Sequence, residues 1–371
     1  MKKVLFVFGT RPEAIKLAPV IQSMKKQKDD FEVEVCVTAQ HREMLDQVLD
    51  FFKIIPDFDL NLMKNNQFLF DLTANTLKNL DAVLEEVQPD WVIVQGDTTS
   101  AFVGALASFY RKIKIAYIED GLRSGNKLSP FPEEVNRRMI SHLADCHFAP
   151  TSLAANNLKK ENIRNNVFMV GNTVIDALLL GLDIIKKSGA DKKLYKYFNY
   201  LDFNKKIILV TGHRRESFGK PLENICLALK KIAENNAVEI IYPVHLNPNI
   251  QKPVHDILGS IKNIHLIKPL DYPHLLWLMK KSYFIITDSG GIQEEASSLK
   301  KPILVTREVT ERIEGIKAGT ALLVGNRKEK IVKEANELLN IKKKYKMMST
   351  RKNPYGDGKS CERIIKVLKS L

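Results

Sequence analysis

Three carboxylates in this chain have the type and placement needed to move protons. Asp97 lies in Gly96-Asp97-Thr98-Thr99, just past an apolar run at 91–95. Glu119 follows a second run at 113–118, and Glu133 stands in Ser129-Pro130-Phe131-Pro132-Glu133-Glu134 at a helix start. Acids on both sides of a sugar ring can take a proton from one carbon and return it. Singly, each has a plainer reading. Asp97 could cap a helix together with the threonines after it, and an acid such as Glu133 is stabilising at any helix N-terminus. Three acids at strand or loop ends facing one cleft make a better case than any one of them.

Groups suited to an anion are a second feature. Thr287-Asp288-Ser289-Gly290-Gly291-Ile292-Gln293-Glu294-Glu295 follows an apolar run at 283–287. Two glycines let backbone approach a diphosphate, and the helix after them offers unpaired N–H groups and a positive dipole end. Glu295 on that helix could accept from ribose hydroxyls. The plainer alternative is a tight strand-to-helix turn with a capping serine. In Gly9-Thr10-Arg11-Pro12-Glu13-Ala14-Ile15-Lys16, Pro12 suits a first helical turn, with Arg11 and Lys16 flanking it as an anion clamp or as a solvated helix start. Thr211-Gly212-His213-Arg214-Arg215-Glu216 puts three basic-capable residues at a strand's carboxyl end, where packing has no use for them. His245 in Val244-His245-Leu246-Asn247-Pro248 could line a cleft or brace a loop. His142, His147, His255, His265 and His274 show no metal-ligand spacing and read as structural or surface residues. No G-x-G-x-x-G follows any strand, so neither a metal nor a nicotinamide cofactor is expected.

These residues need elements to hold them at one edge. In the first half, apolar runs at 4–8, 33–38, 91–95 and 113–118 read as buried strands. Each precedes a helical pattern, at 14–24, 44–52, 69–87 and 99–110. Phe148 and 168–170 read as further short strands. The alternation restarts with runs at 207–211, 240–244, 265–267, 283–287 and 303–305. It implies βαβ units and parallel sheets with helices on both faces, that is, an α/β chain of two Rossmann-like doubly wound domains. The expected division is an N-terminal domain over 1–170, a connection over 171–205, a second domain over 206–352 and a closing segment over 353–371. Such domains bind ligands at the carboxyl ends of their strands, and a cleft between two of them suits a nucleotide-sugar held at both ends.

Composition narrows the class. The 371 residues are 44% hydrophobic and 27% charged, a globular balance. The net charge of +14 comes from dispersed lysines with no aromatic-basic interleaving, so no nucleic-acid partner is expected. Four separated cysteines form no C-x-x-C pair, which fits a reducing cytoplasm. No apolar stretch approaches the ~20 residues that cross a bilayer, and the short apolar run after Lys3 reads as a strand rather than a leader.

Taken together, the motifs resemble those of the bacterial non-hydrolysing UDP-N-acetylglucosamine 2-epimerases essentially end to end. Besides the segments above, the resemblance includes Thr38-Ala39-Gln40-His41-Arg42-Glu43-Met44-Leu45-Asp46, Gly121-Leu122-Arg123, Gly171-Asn172-Thr173-Val174-Ile175-Asp176 and Asn353-Pro354-Tyr355-Gly356-Asp357-Gly358. It implies a glycosyltransferase-B-like pair of domains with the active site in the interdomain cleft. It also implies a C-terminal helix packing back on the first domain, a homodimer, and UDP-N-acetylglucosamine and UDP as ligands. By the matching motifs, Asp97, Glu119, Glu133 and His213 are the catalytic candidates. Arg11, Lys16, Arg137, Arg214, His245, Ser289, Gly290, Gly291 and Glu295 are the substrate-binding set. Gln40, His41 and Glu43 belong to a segment that forms a second, activating UDP-N-acetylglucosamine site in many members, although an arginine that some members contribute near Asn66 is absent here.

The chain departs from the family beside the proposed acids. Gln95 and Tyr117 stand where histidine is common, and Asp120 where alanine is. In Val309-Thr310-Glu311-Arg312-Ile313-Glu314 a proline is lost while the charges stay. These departures imply an altered rate or substrate preference, and three alternatives stay open. One is a hydrolysing epimerase, whose usual Ser-Arg-Ala-Glu opening is not found here. Another is an epimerase of a modified UDP-sugar. The last is a UDP-sugar-binding regulator without turnover.

Overall fold

The computed structural model describes residues 1–38, 42–62, 68–212, 214 and 218–371, without the side chains of 42 and 43. The chain divides into two compact units. The first comprises residues 1–180 and 355–371, and the second 181–354.

In the first unit the strands are β1 (Lys2–Phe8), β2 (Phe31–Val37), β3 (Phe58–Asp59), β4 (Trp91–Gln95), β5 (Lys114–Ile118), β6 (Cys146–Ala149) and β7 (Val167–Met169). The helices are α1 (Arg11–Lys25), α2 (Arg42–Phe52), α3 (Leu69–Val87), α4 (Thr99–Tyr110), α5 (Glu133–Leu143), α6 (Ser152–Lys160) and α7 (Thr173–Lys187), the last running on into the second unit. Among the described residues the sheet has seven strands in the order β3-β2-β1-β4-β5-β6-β7, and every ladder is parallel. Strands covered on both faces need continuous apolar runs, and Val4–Phe8 and the side chains of β4 are almost wholly buried. Helix α3 buries Leu72, Thr76, Leu80, Val83, Leu84 and Val87, spaced three or four apart, on one side of that sheet.

The second unit repeats the plan. It starts with α8 (Ala190–Tyr197) and continues through β8 (Lys206–Thr211), α9 (Lys220–Asn235), β9 (Val238–Pro243), α10 (Pro248–Leu258), β10 (Ile264–Ile267) and α11 (Tyr272–Lys281). Then follow β11 (Phe284–Thr287), α12 (Gly290–Ser298), β12 (Ile303–Val305), α13 (Ile313–Ala318), β13 (Ala321–Leu323), α14 (Lys328–Asn340) and α15 (Lys342–Ser349). Its strands, six among the described residues, run β10-β9-β8-β11-β12-β13. They are again parallel. Ile208, Val210, Ile240, Tyr242, Phe284 and Ile286 form the buried centre with Leu229 and Leu338. Helix α16 (Ser360–Ser370) returns to the first unit and packs on α1.

Of the stretch 171–205, residues 171–180 fall in the first unit and 181–205 in the second, and α7 runs across the division. The lysine- and tyrosine-rich stretch after it is ordered by burial. Leu194 is 4% exposed, Phe198 stacks on Trp277, and Trp277 donates to Asp191 at 2.8 Å. Among the described residues, no helix is long and apolar enough to cross a membrane.

Candidate active site

In both sheets the strand order reverses direction between two neighbours, β1 and β4 in the first and β8 and β11 in the second. The loops leaving such a pair diverge to opposite faces and open a crevice at the strands' carboxyl ends. The segments carrying Arg11, Lys16 and Asp97 leave the first pair, and Gly212, Arg214 and Ser289–Gly291 leave the second.

Around the first crevice, Glu119 is the best-anchored acid. It directly follows β5 with a positive φ of 67° and is 6% exposed. Lys16 Nζ and Gln95 Nε2 both donate to its Oε2, and Asn172 Nδ2 donates to Oε1 at 3.3 Å. Asp97, on the loop after the adjacent β4, is ion-paired with Arg137 of α5, while Asn136 Nδ2 holds its backbone carbonyl at 2.9 Å. Burial works against the Arg137 charge, but Asp97 and Glu134 outweigh it and keep the guanidinium firmly protonated. Glu133 opens α5, half-buried. One of its carboxylate oxygens is buried with no hydrogen-bond partner among the described residues. Arg11 opens α1 and Lys16 lies in its second turn, both half-buried.

The departures flagged in the sequence turn out to be braces. Gln95 reaches from β4 to Glu119, and Tyr117 reaches back from β5 to donate to the carbonyl of Gly96 at 2.7 Å, immediately before Asp97. Burial, and then the nearby Asp120 and Asp97 charges, push the Tyr117 phenol well above its ordinary range, so it stays a donor. Asp120 is fully buried and bonded to His147, which is itself buried and so structural rather than surface.

Sequence reasoning also passed over Glu13. Its Oε2 accepts from the amides of Gly9 (3.2 Å) and Thr10 (2.8 Å), and Oε1 accepts from the Thr98 hydroxyl at 2.7 Å. One carboxyl thus ties the Arg11 loop to the Asp97 loop. Burial pushes it up to about 7 against the pull of those three donors. An acid at the third helical position already signals a capping box, but the reach to Thr98 needs the sheet order.

In the second unit, Ser289 holds the N-cap position of α12 without a side-chain cap bond, and Gly290 and Gly291 are the helix's first residues. The Arg214 amide donates to Asp288 Oδ2 at 2.9 Å, and its guanidinium lies 3.6 Å from Glu311. A small cavity bounded by Gly212, Arg214, Tyr242 and Asp288 lies alongside. Glu295 is buried and accepts from the Tyr272 hydroxyl at 3.0 Å. His245 is exposed past β9, and its Nδ1 accepts from the Asn247 amide at 3.1 Å. Arg312 bonds Glu294 at 2.6 Å and lies beside Gly290 at the α12 N-terminus. Burial opposes ionisation of Glu311 nearby, but Arg312 and Arg307 pull it down to about 2. His213, Gln40 and His41, and the side chain of Glu43, lie outside the described residues. Among the described residues, no group of three or more His, Cys, Asp or Glu is arranged to hold a metal.

A family model described as UDP-N-acetylglucosamine 2-epimerase matches residues 23–369. The chain belongs to that family. The UDP-N-acetylglucosamine 2-epimerase of Salmonella typhimurium is 52% identical over 371 residues, covering 99% of this chain and 98% of its own. That of Campylobacter jejuni is 54% identical over 374 residues, with 99% and 97% covered. The crystal structure of the Neisseria meningitidis UDP-GlcNAc 2-epimerase bound to UDP-GlcNAc superposes with a TM-score of 0.94 at 47% identity, covering 100% of both chains. The Methanocaldococcus jannaschii enzyme in complex with UDP-GlcNAc and UDP gives 0.85 at 36% identity, again over 100% of both chains. The activity is that of a UDP-N-acetylglucosamine 2-epimerase. In this epimerase, then, the acids belong to the first unit and the glycine-opened helix to the second.

Proposed function

We propose that the chain interconverts UDP-N-acetylglucosamine and UDP-N-acetylmannosamine without hydrolysis, by eliminating UDP and adding it back. The observation that carries this reading is the pair of braced acids, Glu119 and Asp97, at the ends of adjacent strands, with Lys16 and Arg137 bonded to them. The proton on C2 is not beside a ketone, so direct removal is costly. Stretching the C1–O bond builds oxocarbenium character and acidifies it. A carboxylate then takes the C2 proton as UDP departs with the C1–O electron pair, leaving a C1=C2 bond in a 2-acetamidoglucal. Re-addition of UDP at C1, with a proton delivered to the opposite face of C2, gives the epimer. Asp97, Glu119 and Glu133 are the proton carriers. Arg11, Lys16, His213, Arg214 and the α12 N-terminus with Ser289, Gly290 and Gly291 offset charge on the diphosphate, and Glu295 takes the ribose. By the same resemblance we propose a homodimer acting in the cytoplasm in support of cell-surface polysaccharide synthesis.

The deciding experiment is proton NMR with UDP-N-acetylglucosamine in deuterated water. UDP-N-acetylmannosamine carrying deuterium at C2 is the expected product, and Asp97→Asn is expected to abolish it while UDP still binds. Free N-acetylmannosamine with UDP would move the chain to the hydrolysing class. Binding without exchange would point to another UDP-sugar or to a regulator.

A further inference from the structure

Glu119 owes its position to a residue that cannot touch a substrate. Its φ of 67° lies in the left-handed region, which a non-glycine residue rarely adopts and keeps only where the surroundings enforce it. The enforcement comes from β6. The amides of Glu119 and Asp120 both donate to the carbonyl of Phe148, at 3.0 and 3.2 Å. One residue earlier, His147 Nδ1–H donates to Asp120 Oδ2 at 2.7 Å. The other carboxylate oxygen accepts from the Ser141 hydroxyl at 2.5 Å and the Gly121 amide at 2.6 Å. Arg123 lies 4.0 Å from that oxygen, itself held by Glu161 in a two-pronged pair at 2.9 and 2.7 Å. Asp120 has no exposed surface, so it is not itself a proton carrier.

We infer that Asp120, clamped by His147, is a positioning residue that fixes the bend presenting the Glu119 carboxylate; this rests on Glu119 being a proton carrier. A buried carboxylate satisfied on both oxygens cannot rotate or withdraw without leaving donors unpaired. Two adjacent residues of β6 therefore grip the bend, through the side chain of His147 and the backbone of Phe148. Asp120 stands where the family commonly has alanine, so the side-chain grip is this chain's own; removing it here would keep only the backbone grip, leave His147 and Arg123 without their buried carboxylate, and let Glu119 sample other directions.

The test compares Asp120→Ala, Asp120→Asn, His147→Ala and Glu119→Gln by kcat, by KM for UDP-N-acetylglucosamine and by UDP affinity. Asp120→Ala is expected to lower kcat about 10- to 100-fold with KM and UDP affinity within about twofold, the pattern of a misplaced proton carrier. Asp120→Asn keeps shape and two acceptances on one oxygen, so its loss should be smaller, a graded series that general destabilisation would not produce. If Asp120→Ala fails to fold, His147→Ala carries the same expectation. A folded, UDP-binding Asp120→Ala or His147→Ala enzyme with unchanged kcat overturns the inference alone, provided Glu119→Gln is inactive. Glu119→Gln at full rate overturns both this inference and the role given to Glu119.

Discussion

Replacing Glu13 by glutamine should remove one component of the epimerase's stability-versus-pH curve. Glu13 is 1% exposed, and burial raises its carboxyl from 4.5 to about 7. A folded-state value above the unfolded one means that the native chain holds a proton which the unfolded chain has already lost. The corresponding stability is fully present below about pH 4.5 and is lost as pH rises through about 7. The shift corresponds to about 3 kcal/mol across that window. Glutamine has nearly the same shape and is neutral throughout. Its oxygen can accept from Gly9 and Thr10, and its amide can donate to the Thr98 hydroxyl. The two tryptophans allow the effect to be read on one unit, since Trp91 belongs to the first and Trp277 to the second. In a Trp277→Phe background, urea unfolding followed by Trp91 fluorescence gives the Glu-minus-Gln difference at each pH, and other titrating groups cancel. That difference should fall by about 3 kcal/mol between pH 4.5 and 8. A flat difference would refute the reasoning. A difference that favours Glu13 at pH 8 would show that its three donors outweigh burial.

Two further outcomes follow from the same first unit. Gly121 has a φ of +91°, and a Cβ there would stand 2.3 Å from the Ala154 carbonyl oxygen, so Gly121→Ala should destabilise by at least about 2 kcal/mol, seen as a lowered Tm. Asp176 accepts from the amides of Ser360 (3.2 Å) and Cys361 (3.0 Å) at the start of α16. Asp176→Ala should cost about 1–2 kcal/mol and speed amide exchange within α16 first; equal acceleration across the unit would contradict a local cap.

Much of the fold was legible in the sequence because parallel strands buried on both faces must be apolar throughout. The runs at 91–95 and 303–305 and the helices at 69–87 and 99–110 match the observed elements end for end. Elements whose order comes from distant contacts were not legible. Helix α8 reads as a polar tract until Phe198 meets Trp277, and the two-residue β3 is defined by its register with Cys36 and Val37. The acids and the glycine-opened helix stood out in the sequence because each lies just past a strand or at a helix start. What holds the acids did not stand out.

By itself the sequence determined which residues could carry protons and anions, and that they would gather at strand ends, because periodicity dictates the elements and the elements dictate their edges. Only the tertiary structure decided the partnerships. Strand order set β4 between β1 and β5, and that brought Gln95 to Glu119, Tyr117 to Gly96 and Glu13 to Thr98. Pairing of β5 with β6 brought His147 to Asp120. Hydrogen bonds form over about 3 Å between residues tens of positions apart, and a spacing along the chain carries no record of that distance until the sheet is assembled.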